Sequence, residues 1–279
     1  MQKLCLYDKL VAGDLLTPIR RHLAEGRFIL SFEGKVTENQ RIDFERPWLV
    51  PVVEKERNCS RWFAVYFDLY QIIPKGCRNC WKVGFHPRTL EDVFKVLEIQ
   101  EKMGISSKSG LEKRGRTGAK GGYSSFWYPS LSDGVKGGRE VFKRVKEVLE
   151  NDLGYSDGLT LKRGCTEMEH FSLNFFGSSA DWDKRASAFD LTEKLLDSVF
   201  DIPEIAAVNI PKILEVYIKR SWIEWAFEHG DKTYLKYTGG RKLVPSLFDY
   251  MKEDNEKICI PITWKGEKND PSSTIESIV

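Results

Sequence analysis

Between residues 81 and 164 the spacing of apolar residues switches repeatedly between a period of two and a period of 3.6, and this pattern constrains the fold more than any other feature. Trp81 to Phe85 alternates apolar and polar positions, and Pro87 ends the run. Thr89, with Asp92 three residues on, opens a segment whose Leu90, Val93, Phe94 and Leu97 recur at helical spacing up to Gly104. Two strand-like segments follow, around Gly110 to Lys113 and Tyr123 to Tyr128. A second helical segment, Gly138 to Glu150, places Val141, Phe142, Val145, Val148 and Leu149 on one face, and Leu159 and Leu161 alternate in a last strand that finishes at Gly164. The order β-α-β-β-α-β predicts an α+β chain with a ferredoxin-like split β-α-β core over residues 81–164, in which four antiparallel strands carry two helices on one face. The same order also suits other α+β sheets.

The flanks read differently. Before the core, an amphipathic helix from Asp14 to Ala24 precedes strand-like segments at Arg27 to Phe32 and Arg61 to Tyr70, and Pro47 and Pro51 mark edge or connecting structure. After it, Ala186 to Phe200 and Pro211 to His229 read as helices. The second carries Ile213, Leu214, Tyr217, Ile218, Trp222, Ile223 and Trp225, so it is apolar nearly all round and predicts burial or an interface, including one between copies of the chain. The expected division is a β-rich extension over 1–75, the α/β core over 76–180 and a helical subdomain over 181–279.

No run is apolar enough to span a bilayer, and Asp and Lys interrupt the first residues where a secretion signal would be apolar. The expected setting is the cytoplasm, without a membrane partner. Six cysteines in a reducing compartment point to metal ligation or redox chemistry before structural disulfides. Cys77 and Cys80 form a C-x-x-C pair that can aim two sulfurs at one ion, half of a tetrahedral zinc site or of an iron-sulfur ligand set. In the split β-α-β order the first and last strands are neighbours, which brings Cys165 to the same place. His170 is the expected fourth ligand, with Glu167, Glu169, Cys59 and Cys259 as substitutes. Against the metal stands the reading of each cysteine as a small buried hydrophobe. A redox pair fits less well, because a strand rather than a helix follows Cys80.

Net charge is only +2, so a nucleic-acid partner would need a local basic patch. The loop from Lys108 to Lys120 offers one: Lys113, Arg114, Arg116 and Lys120 would neutralise phosphates, and Trp127 would stack on a base. The loop lacks the Gly-Lys-Ser/Thr ending of a phosphate-binding P-loop, and no G-x-S-x-G elbow occurs. Glu167 and Glu169, expected to project together from an extended segment, are the candidate catalytic carboxylates. The resulting expectation is a zinc-stapled protein that binds or processes nucleic acid. Its alternatives are a metal-dependent or iron-sulfur enzyme acting on a nucleotide or other small molecule, and an assembly protein that uses the C-terminal helix.

Overall fold

The computed structural model describes residues 5–14, 16–26, 29–30, 36–37, 48–53, 57, 59–67, 71–112, 121–199, 211–243 and 258–259. In chain order the elements are α1 (Leu6–Gly13), α2 (Leu16–Ala24), β1 (Ile29–Leu30), β2 (Val36–Thr37), β3 (Trp48–Val52), the wide-turned helix α3 (Ser60–Phe67), α4 (Lys75–Arg78), β4 (Trp81–Phe85), α5 (Leu90–Met103), β5 (Ser107–Glu112) and β6 (Gly122–Trp127). They continue with α6 (Gly134–Asp152), β7 (Thr160–Arg163), α7 (Thr166–Ser172), α8 (Ala186–Val199), α9 (Lys212–Glu228), α10 (Tyr234–Tyr237), β8 (Lys242–Leu243) and β9 (Ile258–Cys259). The chain divides into two compact units: Met1–Leu49, Thr89–Glu91 and Ile210–Val279 form one, Val50–Arg88 and Asp92–Asn209 the other.

In the first unit, Asp14 starts α2 because its carboxylate accepts from the amides of Leu16 (3.1 Å) and Thr17 (3.0 Å), satisfying donors that the helix itself leaves open. The same carboxylate takes Arg220 of α9 at 2.6 Å, and Tyr7 of α1 donates to Glu224 at 2.8 Å. Leu16 and Leu23 pack against Ile213, Leu214 and Tyr217. Ile218, Trp222, Ile223 and Ala226 are buried within this unit, which covers much of the apolar surface that suggested an interface.

The second unit is built on a five-stranded sheet in the order β3-β5-β6-β4-β7, with the β5–β6, β6–β4 and β4–β7 pairs antiparallel. The chain is therefore α+β, and all four strands and both helices expected between residues 81 and 164 form. β3 lies at the edge, where Pro51 costs no ladder hydrogen bond that the sheet needs. Val83, Phe85 and Trp127 meet Val96 and Ile99 of α5 and Val141, Val145 and Leu149 of α6, so both helices cover one face.

Three expectations are corrected. Of the strand expected from Arg61 to Tyr70, the part up to Phe67 is helical, within Ser60–Phe67, and residues 68–70 lie outside the described residues. Trp62, Phe63, Tyr66 and Phe67 share one helical face, and Tyr66 and Phe67 sink into a second core cluster with Ile73, Cys77, Met168, Trp182 and Phe189. The boundary expected at 75/76 falls inside the second unit. Residues 181–279 do not form a single helical body: α8 belongs to the second unit and α9 to the first. No helix among the described residues is long and apolar enough to cross a membrane.

Candidate functional site

Alternation along a strand assigns every side chain of the sheet to a face, and directly paired residues share one. With Val83 and Phe85 against α5 and α6, Lys82 and Gly84 belong to the opposite face of the sheet. The register then places Lys162 of β7 opposite Lys82, Phe126 of β6 opposite Gly84, and Lys108 of β5 opposite Phe126. Lys82 Nζ stands 5.4 Å and Lys108 Nζ 5.6 Å from the centroid of the Phe126 ring. Lys82 is only 6% exposed, and among the described residues no carboxylate forms an ion pair with it. A buried ammonium without a counter-charge is costly, so the negative charge must come from the rest of this face.

Cysteines stand close by. The short helix α4 holds Cys77 and is followed at once by Cys80, whose N–H donates to the Cys77 carbonyl (3.2 Å). The Cys80 carbonyl in turn accepts from the N–H of Gly164 (2.7 Å), extending the β4–β7 ladder and setting Cys165 beside the pair. Gly164 is required at that point, because its φ is +68° and a Cβ there would stand 2.5 Å from the Trp182 ring. Cys165 is the N-cap of α7 and packs against the cluster that holds Cys77. Arg57 reaches in from the segment before α3: its Nε donates to Cys80 Sγ (3.4 Å), its Nη2 to the Pro129 carbonyl (2.5 Å), and its guanidinium lies 5.1 Å from the Tyr128 ring centroid. Cys59 follows two residues later.

The charges of these groups are felt across the cluster. Lys82 draws the Cys165 thiol below the ordinary cysteine range, with help from Lys108 and Lys162, and together they outweigh burial. Burial, then Cys165, Cys80 and Cys59, push the Cys77 thiol well up. Cys59 is raised to about 11, first by burial and then by Cys165 and Cys80. For Lys82 burial works against the charged form, yet Cys165, Cys80 and Cys59 more than offset it and the net shift is upward. Cys59, Cys80 and Cys165 thus act on the buried Lys82, and all three act on Cys77.

No group of three or more His, Cys, Asp or Glu among the described residues is disposed, in this conformation, to hold a metal ion. His170, the ligand expected from the sequence, is exposed on α7 with its ring 5.8 Å from that of Phe171. Glu167 and Glu169 do not share a side of an extended segment, because Thr166 to Ser172 is helical and residues two apart on a helix diverge. Glu169 is already occupied, accepting from Ser179 Oγ at 2.7 Å.

Trp127 is fully buried on the helix-covered face, which leaves no ring surface for a base to stack on. Lys113, Arg114, Arg116 and Lys120 lie outside the described residues, as does the Cys259 side chain. Two further carboxylates near this end of the sheet are engaged elsewhere: Asp181 binds Lys184 and Ser178, and Asp183 pairs with Arg163 at 2.8 Å. Sequence reading passed over Arg57 and Lys162, which resemble ordinary solvent-facing residues of a loop or a half-buried strand, and placed Lys108 only at the start of the basic loop. The available signal was parity: Cys80 and Lys82 are two apart at a strand start and therefore share a face. Beyond the Arg57 anchor lies a cavity of about 460 Å³ lined by Ser106, Tyr128, Pro129, Glu140 and Arg144, among others, with room for a small molecule. Comparison of the chain with family models, with curated proteins and with solved structures gives no match.

Proposed function

We propose that this chain is a cytoplasmic, cysteine-ligated metalloprotein with a ferredoxin-like core, and that it is an enzyme acting on a nucleotide or another small molecule at the face of its sheet opposite α5 and α6. The antiparallel order β5-β6-β4-β7, with α5 and α6 on one side, supports the ferredoxin-like reading. The observation that carries the metal is the convergence of Cys77, Cys80 and Cys165 at the β4–β7 end of the sheet, where buried Lys82 draws the Cys165 thiol below the ordinary cysteine range. Thiolates held together in that state are metal ligands, and zinc is the first choice, with an iron-sulfur cluster as the alternative. Zinc closed by a fourth thiol would staple α4 to the β7 end of the sheet, whereas zinc with an open position would act as a Lewis acid toward a bound substrate. Burial of Lys82 favours a small substrate over a polymer.

The test is metal analysis of protein purified without added metal, together with its visible spectrum. About one zinc per chain in colourless protein supports the zinc centre, and brown protein with visible absorption selects iron-sulfur. Protein that is metal-free as purified and takes up neither zinc nor iron argues against the proposal. A second reading keeps nucleic acid as the partner through Lys113, Arg114, Arg116 and Lys120, favoured by the position of Lys108 at the base of that loop. Changing the three residues Arg114, Arg116 and Lys120 to Ala would then weaken binding alike for all sequences and flatten its salt dependence.

A further inference from the structure

The cavity of about 460 Å³ beyond the Arg57 anchor lies wholly within the second unit, where the start of β5 and the end of β6 meet α6. Val53, Ile105, Pro129 and Val141 give it an apolar wall, and Ile105 and Val141 continue into the core under α6. Three charged residues also line it: Asp133, Glu140 and Arg144. Asp133 accepts from Ser132 Oγ at 3.2 Å and stands at the N-cap of α6, where the helix dipole offsets its charge. Glu140 and Arg144 are one turn apart in the order that favours an ion pair. Lys146 and Glu150 of the same helix do pair at this spacing, at 3.6 Å, although their order is the less favourable one. Yet the side chains of Glu140 and Arg144 form no ion pair or hydrogen bond, with each other or with any other described residue. Lys136, Lys143 and Glu147, the charged residues one turn away from them, are exposed and do not line the cavity. Ser106, also in the lining, has a buried hydroxyl without a hydrogen-bond partner.

We propose that this cavity binds a small zwitterion, an α-amino acid with an apolar side chain, its carboxylate on Arg144, its ammonium on Glu140 and its side chain against Ile105 and Val141. The volume falls in the range of small-molecule sites. Residues four apart on a helix have Cβ atoms about 5–6 Å apart, so two long side chains can converge on opposite charges carried by one carbon. A guanidinium meets a carboxylate through two parallel hydrogen bonds, and a glutamate accepts from an ammonium. Glu140 and Arg144 are then both paired, and the apolar part of the ligand leaves water. Two carboxylates against one guanidinium disfavour a phosphorylated ligand in this place. The site goes beyond the metal-centred reading and holds whatever the thiols carry.

The experiment titrates L-phenylalanine and L-leucine into the protein as purified, by calorimetry and saturation-transfer NMR. Beside them run the two singly charged counterparts of L-phenylalanine, 3-phenylpropanoate without the ammonium and phenethylamine without the carboxylate. Saturable binding of an amino acid at one site is expected, with each counterpart weaker than L-phenylalanine by about tenfold or more. Arg144→Met should remove the advantage of L-phenylalanine over phenethylamine, and Glu140→Gln its advantage over 3-phenylpropanoate. Both side chains are exposed, so the variants should fold, and thermal melts check that they do. Absence of saturable binding of both amino acids overturns the proposal, as does binding indifferent to both variants. A counterpart that binds as tightly as L-phenylalanine also overturns it, because the site would then serve a simple acid or amine. Each of these outcomes leaves the thiol centre untouched, since its metal content is measured apart.

Discussion

The two faces of the sheet are one residue out of phase along every strand, and their chemistry is opposite. On the face under α5 and α6, Val83, Phe85 and Trp127 meet Val96, Ile99, Val145 and Leu149, each of these fully or nearly fully buried. On the other face the same strands present Lys82, Lys108 and Lys162 around Phe126, with Cys80 and Cys165 at the β4–β7 end. The first face is what any split sheet needs in order to fold. The second contains charge that folding alone would select against. Burial therefore has two meanings in this sheet, and only on the face opposite α5 and α6 does it point to function.

Four measurements probe that contrast. Stripping the metal with a chelator, or changing Cys165→Ser, should abolish metal binding and destabilise the unit that holds the sheet by several kcal/mol, because the binding free energy of a structural centre is folding free energy, on the order of 10 kcal/mol for small zinc modules. His170→Ala should leave metal content as it was. Chelator competition and urea melts read both outcomes, and metal loss in the His170 variant would restore the ligand set expected from the sequence.

Trp127→Ala should cost about 3–5 kcal/mol in urea unfolding, as large-to-small changes in a packed core do. A loss below about 1 kcal/mol would show that the ring is not a core residue. Lys82→Met should behave in the reverse sense: near neutral in metal-free protein, since a buried charge and its desolvation are removed together with its partners' attraction, but lowering metal affinity by about 10–100-fold through loss of the counter-cation. Equal destabilisation with and without metal would argue that Lys82 serves packing only.

The smallest effect concerns pH. The hydrogen bond from Arg163 holds the Asp183 carboxyl below the usual carboxylate range. A folded value below the unfolded one means that the contribution is present above about pH 4 and fades as the pH falls through the lowered folded value. Asp183→Asn should remove that acid-side loss, while at neutral pH its melting temperature should fall by no more than about 1–2 °C, because the Asp183 side chain is 65% exposed. Unchanged acid dependence in the variant would show that the pair does not couple to folding.

Much of the fold was legible because strand and helix periods are written in apolar spacing, and each expected element between Trp81 and Gly164 formed. The β4–β7 pairing also sets Gly164, next to Cys165, against Cys80. Arg61 to Tyr70 misled because a nearly continuous apolar run fits a buried strand and a buried helix alike, and only the spacing of Trp62, Phe63, Tyr66 and Phe67 separates them. His170 misled because proximity in sequence to Cys165 does not survive the start of a helix at Thr166. The burial of Lys82 could not be read at all. A lysine at alternate parity in a strand is ordinarily solvated, and what covers it comes from distant parts of the chain. The unit boundaries were hidden for the same reason, since the first unit joins the two ends of the chain.

Metal-edge X-ray absorption on the protein as purified bears most directly on the thiol centre. Three or four sulfur scatterers at about 2.3 Å from the metal are expected for a centre held by Cys77, Cys80 and Cys165 with or without Cys59. A shell of oxygen and nitrogen alone, unaltered by Cys165→Ser, would contradict it.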